Sequence, residues 1–246
     1  MDLQRETAHR PWPLPGAPWV MAQWWHDLLF AHWRVPAAAL QPLLPAGLDL
    51  DTFDGSAWLG VVPFRMSGIR PRALPPLPAL SAFAELNVRT YVTRDGRPGV
   101  WFFSLDATQP LAVRFARRAF HLPYMDAEMA CEAHGEDLRY RSRRTQAGEA
   151  RADFIGRYGP AGPVFQAVPG SLEHWLTERY CLYAADAAGR LLRAQIHHLP
   201  WPLQPAWAEL ELNTMARPLG LDLNTAPASL LFARELEVVV WWPERV

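Results

Sequence analysis

The sequence predicts a mainly β protein, a barrel or sandwich of about ten strands with a few short helices at its periphery. Segments that alternate apolar and polar residues recur along the chain and are separated by glycine-containing turns. Proline accounts for 24 of 246 residues, about twice the ordinary 5%, and it keeps helices short because it removes a backbone donor. The helical segments do not alternate regularly with the strands, which argues against a βαβ sheet.

In the first half of the chain, residues 1–20 are rich in proline and tryptophan and predict an extended arm over a single domain that spans 21–246. Pro36 favours the start of a short helix, and Asp54-Gly55 and Asp95-Gly96 are hairpin-turn signals. The proline-rich segment 70–80 is interpreted as an ordered surface loop rather than a linker between domains. The predicted strands of this half are 26–35, 56–66, 84–92 and 100–107.

In the second half, a helix is predicted from Pro110 to about Phe120, and Pro123 prevents its continuation. Ser171 is the predicted N-cap of a second helix over 172–180, because its hydroxyl can accept from a free amide of the first turn. The predicted strands of this half are 124–133, 137–146, 149–158, 180–185, 191–198 and 230–242.

Composition excludes several classes of partner. Half of the residues are apolar and the net charge is −1, so there is no overall basic field to attract nucleic acid or anionic lipid. No apolar run approaches the ~20 residues of a membrane span, and the N-terminus lacks the apolar core of a secretory signal. We therefore expect a cytoplasmic protein. Cys131 and Cys181 are expected to be reduced, with a disulfide as the alternative.

Several reaction classes are excluded by residues that the chain does not contain. All 24 basic residues are arginine, so no lysine side chain is available for a Schiff base or a phosphate-binding loop. The motifs GxGxxG, GxSxG, HExxH and paired CxxC are also absent. Adjacent residues of a strand face opposite sides, so His197 and His198 cannot chelate one metal in the usual way. We expect no cofactor.

The most informative pattern lies in the predicted strand 84–92. Glu85, Asn87, Arg89 and Tyr91 share one face, and the residues between them, Leu86, Val88 and Thr90, share the other. This polar face has two interpretations: a solvated outer face, or the lining of a barrel interior in which ligands are commonly held. Glu85 and Arg89 stand about 13 Å apart along a strand that rises ~3.3 Å per residue, so each charge needs another partner.

Six segments also carry a resemblance to a known family: 30–66, FAELNVRTYV (83–92), GVWFFSLDA (99–107), ARRAFHLPY (116–124), LTERYCLY (176–183) and HHLPWPLQPA (197–206). On these segments the chain resembles the bacterial DUF2071/YqjF-like family, grouped with the acetoacetate decarboxylase-like superfamily. The resemblance implies an open, conical β-barrel with helices outside and a ligand cavity inside.

In those decarboxylases a lysine forms a Schiff base with a β-keto acid, and the absence of lysine excludes that mechanism here. What the resemblance transfers is the acidic residue of a YxE-like stretch, which matches Phe83 and Glu85 of this chain.

Our leading hypothesis is an interior pocket for a small organic acid or another anionic small molecule. The residues predicted to line it are Glu85, Asn87, Arg89, Tyr91, Asp106, Tyr124 and Arg179. Arg89 is the predicted carboxylate ligand, and Glu85 is the predicted general acid or base of a lysine-independent lyase, hydratase or isomerase. The alternatives are a non-catalytic binding protein, and a scaffold protein with a filled barrel. The oligomeric state stays open between a monomer and a homo-oligomer.

Overall fold

Residues 3–76 and 81–246 are described by the computed structural model, and within these ranges thirteen strands form one sheet. The strands are β1 (Met21–Val35), β2 (Asp49–Leu50), β3 (Ala57–Pro71), β4 (Phe83–Arg94), β5 (Arg97–Ala107), β6 (Tyr124–His134), β7 (Asp137–Arg144), β8 (Asp153–Pro160), β9 (Cys181–Ala185), β10 (Leu191–His197), β11 (Leu203–Asn213), β12 (Ser229–Val240) and β13 (Glu244–Arg245). The α-helices of the same ranges are α1 (Ala37–Leu40), α2 (Pro110–Phe120) and α3 (Leu172–Thr177), and the 3-10 helices are Leu3–Arg5, Gln41–Leu43 and Arg217–Leu219. The predicted mainly β class is confirmed.

The sheet closes on itself into a roughly conical ring. Its strand order is β13-β10-β9-β5-β6-β7-β8-β11-β12-β1-β3-β4-β2, with additional pairings between β10 and β12 and between β5 and β4. These pairings create two rings. The first runs through β5, β4, β3, β1, β12, β10 and β9, and the second replaces β10 and β9 with β11, β8, β7 and β6. The strands β12, β1, β3, β4 and β5 therefore belong to both rings.

The shared strands are buried on both faces, because each face packs into a different ring. In β1, Leu28 and Phe30 belong to the core of the first ring, whereas Leu29 and Ala31 belong to the core of the second. In β4, Leu86 and Val88 likewise enter the second core. The odd-numbered residues of β4 consequently face the first ring.

A bulge interrupts the pairing of β4 with β5. The register changes between the pairs Val88–Ser104 and Arg89–Phe102, which leaves Phe103 without a direct partner. An extra residue reverses the alternation of the strand that carries it. The side chains of Phe102 and Leu105 both line the interior of the first ring as a result.

Several predicted element boundaries agree with the structure and others differ. Helix α2 begins and ends where predicted, and the Ser171 side chain caps α3 by accepting from His174 N. The predicted helix 172–180 ends earlier, at Thr177, and β11 was not predicted. Strand β3 extends to Pro71, into the predicted loop 70–80, and residues 77–80 of that loop lie outside the described residues.

The N-terminal arm packs against the end of β10 and the residue that follows it. Arg10 Nη1 donates to Ile196 O at 2.7 Å, and His9 Nε2 lies 2.9 Å from His198 O. Among the described residues, no helix is long and apolar enough to pass through a bilayer.

Candidate functional site

The first ring encloses a cavity of about 100 Å³. One water molecule needs roughly 10–15 Å³ of such space, so the cavity has room for a small organic molecule. Most of its wall is apolar and includes Trp25 of β1, Phe64 of β3 and Phe102 of β5. A few polar groups among apolar walls are typical of small-molecule sites.

Five of the predicted site residues line this one cavity. Glu85, Asn87 and Arg89 come from alternate positions of β4, Tyr124 is the first residue of β6, and Arg179 follows α3. The polar face of β4 thus points into the ring rather than into solvent. The exposed fractions of the three β4 residues are 2%, 6% and 9%, so their polar groups depend on each other and on whatever occupies the cavity.

Glu85 is held as a largely neutral acid. Burial raises the pKa of its carboxyl to about 8, while hydrogen bonds from Tyr124 and Asn87 act in the opposite direction. The Tyr124 hydroxyl donates to Glu85 Oε2 at 3.0 Å. The protonated, neutral form of Glu85 is therefore favoured at pH 7. The backbone carbonyl of Glu85 accepts from the Tyr140 hydroxyl at 2.8 Å, which reaches it from the second ring.

Arg89 is a buried cation that has no carboxylate partner in the part of the chain that the structure describes. Its Nη2 donates to the Tyr91 hydroxyl at 3.2 Å and to Leu176 O at 3.4 Å, and its guanidinium lies 5.3 Å from the Phe30 ring centre. None of the ion pairs formed by residues 3–76 and 81–246 includes Arg89. A buried guanidinium without a counter-charge is costly, so an anion in the cavity would be stabilising.

Arg179 brings a second guanidinium to the same cavity, but this cation is paired. Its Nη1 donates to Asp51 Oδ2 at 2.6 Å and its Nε donates to Trp175 O at 2.6 Å. The guanidinium also lies 4.4 Å from the Trp175 ring centre. Asp51 pairs with Arg179 and burial favours the neutral form of Glu85, so Arg89 leaves this end of the cavity with a positive charge.

Unpaired polar atoms on the cavity wall are mostly donors. Five buried side-chain atoms of lining residues have no hydrogen-bond partner in the described part of the chain: Trp25 Nε1, Arg89 Nε, Arg179 Nη2, Trp201 Nε1 and Asn87 Oδ1. Four of these five are N–H donors and one is an acceptor. The lining residues therefore carry more unpaired donors than unpaired acceptors.

The other two predicted residues, Tyr91 and Asp106, do not line the cavity. Tyr91 contacts Arg89 outside the cavity, where its hydroxyl accepts a hydrogen bond from Arg89. The same hydroxyl donates to Leu176 O at 2.9 Å and lies 2.6 Å from His32 Nε2. Asp106 faces the other way because the bulge at Phe103 reverses the alternation of β5.

The buried partner of Asp106 is Arg144 of β7. Arg144 Nη2 donates to Asp106 Oδ1 at 2.8 Å and to Ser104 Oγ at 2.7 Å. The expectation that Asp106 contributes to the pocket is therefore wrong in this geometry.

The lining residues that the sequence did not predict include Trp25, Thr177, His198 and Trp201. His198 is fully buried, and burial lowers the pKa of its imidazole, which keeps it neutral. No motif marks these residues, because they reach the cavity from separate segments of the chain. Within the described ranges, no three His, Cys, Asp or Glu side chains are grouped so that they could hold a metal ion.

Comparison with known proteins identifies similar sequences and folds. Residues 22–237 match the model of the DUF2071 family, described as an uncharacterized conserved protein. The chain is 44% identical over 228 residues to the uncharacterized protein YqjF of Bacillus subtilis, which covers 93% of both chains.

Solved structures share the fold at much lower identity. Acetoacetate decarboxylase from Legionella pneumophila has a TM-score of 0.62 and 14% identity, over 99% of this chain and 94% of that one. An acetoacetate decarboxylase-like enzyme from Sphingomonas wittichii RW1 has a TM-score of 0.59 and 16% identity, over 94% of both chains. The enduracididine biosynthesis enzyme MppR, complexed with pyruvate, has a TM-score of 0.59 and 11% identity, over 96% of this chain and 93% of that one.

Proposed function

This chain belongs to the DUF2071 family, and we propose that the cavity of its first ring binds a small organic carboxylate. The carboxylate pairs with Arg89, and the Glu85 carboxyl donates a hydrogen bond beside it. The observation that carries the proposal is the buried Arg89 guanidinium, which has no acidic partner among the described residues and has an unpaired Nε. A planar guanidinium matches a carboxylate in two parallel hydrogen bonds.

Two further observations support an anionic ligand. Three other residues that line the cavity also carry donors without a partner among the described residues: Arg179 Nη2, Trp25 Nε1 and Trp201 Nε1. The solved MppR structure, which shares the fold, is complexed with pyruvate, a small carboxylate.

A second candidate function, proton-transfer catalysis on the bound acid, rests on Glu85. A general acid or base is most effective when its pKa lies near the working pH, and burial raises the pKa of Glu85 to about 8. In this function Glu85 exchanges a proton with the ligand in a lyase, hydratase or isomerase step, while Tyr124 fixes the carboxyl. The sequence contains no lysine, so no step uses a lysine Schiff base.

The test compares acids with their neutral analogues. We would measure binding of pyruvate, acetoacetate and butanoate to the full chain by calorimetry, beside butanamide, which keeps the shape of butanoate without its charge. We expect the acids to bind and the amide to bind at least about tenfold more weakly, because a hydrogen bond to a charged group contributes about 1.5–3 kcal/mol.

Two variants connect the binding to the cavity. Arg89→Gln should weaken acid binding by at least about tenfold and should fold, because it removes a buried charge. Arg151→Gln alters an exposed arginine and is the matched control. Equal binding of butanoate and butanamide, or undiminished acid binding by Arg89→Gln, would refute the carboxylate site. Binding without conversion of any acid would favour the non-catalytic alternative over proton transfer.

A further inference from the structure

An apolar groove of about 310 Å³ lies on the outer surface beside α2. All of its lining residues are apolar, and three of them are large side chains that remain half-exposed: Leu111 at 55%, Phe115 at 54% and Trp242 at 54%. A cluster of exposed large apolar side chains is usually a binding surface.

The groove adjoins the interior cavity. Met21 and Phe120 line both spaces. Phe120 is the last residue of α2, and its ring stacks on Trp242 with the centres 5.4 Å apart and meets Phe115 edge-on at 6.3 Å. Met21 is an unbranched side chain with three rotatable bonds. These two side chains stand between the cavity and the groove, so a molecule that occupies both spaces passes between them.

From the cavity to the groove, the lining changes from partly charged to apolar. The charged groups of the cavity, Glu85, Arg89 and Arg179, line the inner space only. Within the described ranges, no charged or polar side chain lines the groove. The inner cavity of about 100 Å³ has room for a small molecule only, and the groove adds about 310 Å³. A molecule complementary to both spaces has one acidic end and one apolar end.

We propose that the ligand of this protein is an amphipathic carboxylate, whose acid group binds at Arg89 and whose apolar chain passes between Met21 and Phe120 into the groove beside α2. This inference rests on the proposed carboxylate site and names the class of acid that fills it. The occupant of the groove is thus the tail of the bound ligand, because the groove shares two wall residues with the cavity and has no charge of its own.

The test is a chain-length series. Straight-chain monocarboxylates from butanoate to dodecanoate would be titrated into the full chain below their micelle concentrations. Each methylene that leaves water should tighten binding by about fourfold. We expect this increment to persist in the long acids, beyond the length that the inner cavity alone can hold.

Groove variants show where the tail lies. Two variants are tested: the double variant Leu111→Gln/Phe115→Gln, and the single variant Trp242→Gln. In both, we expect the gain in affinity per methylene to become smaller for the longer acids. All three side chains are about half-exposed, so the changes leave the cores intact. Val168→Gln, at an apolar residue that is 70% exposed outside the groove, is the matched control and should keep the wild-type increment.

The outcomes separate the two proposals. Butanoate binding in the wild type with no gain for longer acids would overturn the tail inference and leave the carboxylate site standing. An undiminished increment in both groove variants would also overturn it. Failure of every acid to bind, or equal binding of dodecanoate by Arg89→Gln and the wild type, would overturn the carboxylate site and the inference with it.

Discussion

Replacing Glu85 by Gln tests whether a neutral acid stands inside the first ring. Burial raises the pKa of the Glu85 carboxyl from 4.5 to about 8 in the folded protein. Between these two values the folded state holds a proton that the unfolded state has released. The stabilising contribution of Glu85 is therefore complete below about pH 4.5 and is lost as the pH rises towards 8. Glutamine is neutral throughout and can still accept the hydrogen bond from Tyr124.

The size of the effect follows from the shift. One pKa unit corresponds to about 1.4 kcal/mol, and Glu85 is only 2% exposed, so solvent screening does not reduce it. The free energy of unfolding of the wild type, relative to Glu85→Gln, should fall by about 1.4 kcal/mol per pH unit between pH 5 and 8. The total loss of stabilisation between pH 4.5 and 8 is about 5 kcal/mol.

The assay is urea denaturation of both proteins at pH 5, 6, 7 and 8. Subtracting the two curves cancels every other titrating group. Glu209→Gln, at an exposed glutamate, is the control and should follow the wild type. A wild-type minus Glu85→Gln difference that stays constant from pH 5 to 8 would mean that Glu85 is ionised in the folded protein, and the reasoning on its burial would be wrong.

Two further predictions concern the walls of the rings. Asp106→Asn leaves the buried Arg144 without its carboxylate and should lower the free energy of unfolding by about 3–5 kcal/mol. The control is Glu128→Gln, which breaks an exposed pair with Arg143 and should lower the free energy of unfolding by less than about 1 kcal/mol. Equal losses for the two variants in urea denaturation would contradict the burial of Arg144. Gly99→Ala places a methyl group 2.9 Å from Cys181 O, where β5 meets β9, and should cost about 1–3 kcal/mol. The control is Gly16→Ala, because Gly16 has open space around it. A thermal midpoint of Gly99→Ala as high as that of Gly16→Ala would show that β5 and β9 are not closely packed at Gly99.

Much of the fold was predictable because its signals are local. Pro110 and the following apolar spacing define α2, and Asp95-Gly96, which adopts φ values of 50° and 70°, defines the turn between β4 and β5. Strand β11 was missed, since Pro200, Pro202 and Pro205 obscure its start. Closure of the sheet depends on pairings between distant strands, such as β10 with β12, which no local pattern specifies.

The candidate site was predictable only in part, for a related reason. Alternation along β4 groups Glu85, Asn87 and Arg89, but it does not show which side of the sheet they face. A strand with two buried faces carries no solvent side from which to orient it. The direction of the Asp106 side chain depends on the bulge at Phe103. The sequence pattern does not reveal this bulge, because a single extra residue leaves no mark in a run of apolar residues.

The strands that the two rings share connect the cavity of the first ring to residues of the second ring. The Tyr140 hydroxyl crosses from the second ring to hydrogen bond with the backbone carbonyls of Phe64 and Glu85. Phe64 and Glu85 are themselves cross-strand neighbours whose side chains line the cavity. Substitutions around Tyr140 can thus shift Glu85 and Phe64 without altering a residue that lines the cavity. The shape of the cavity therefore depends on residues of the second ring as well as on its own wall.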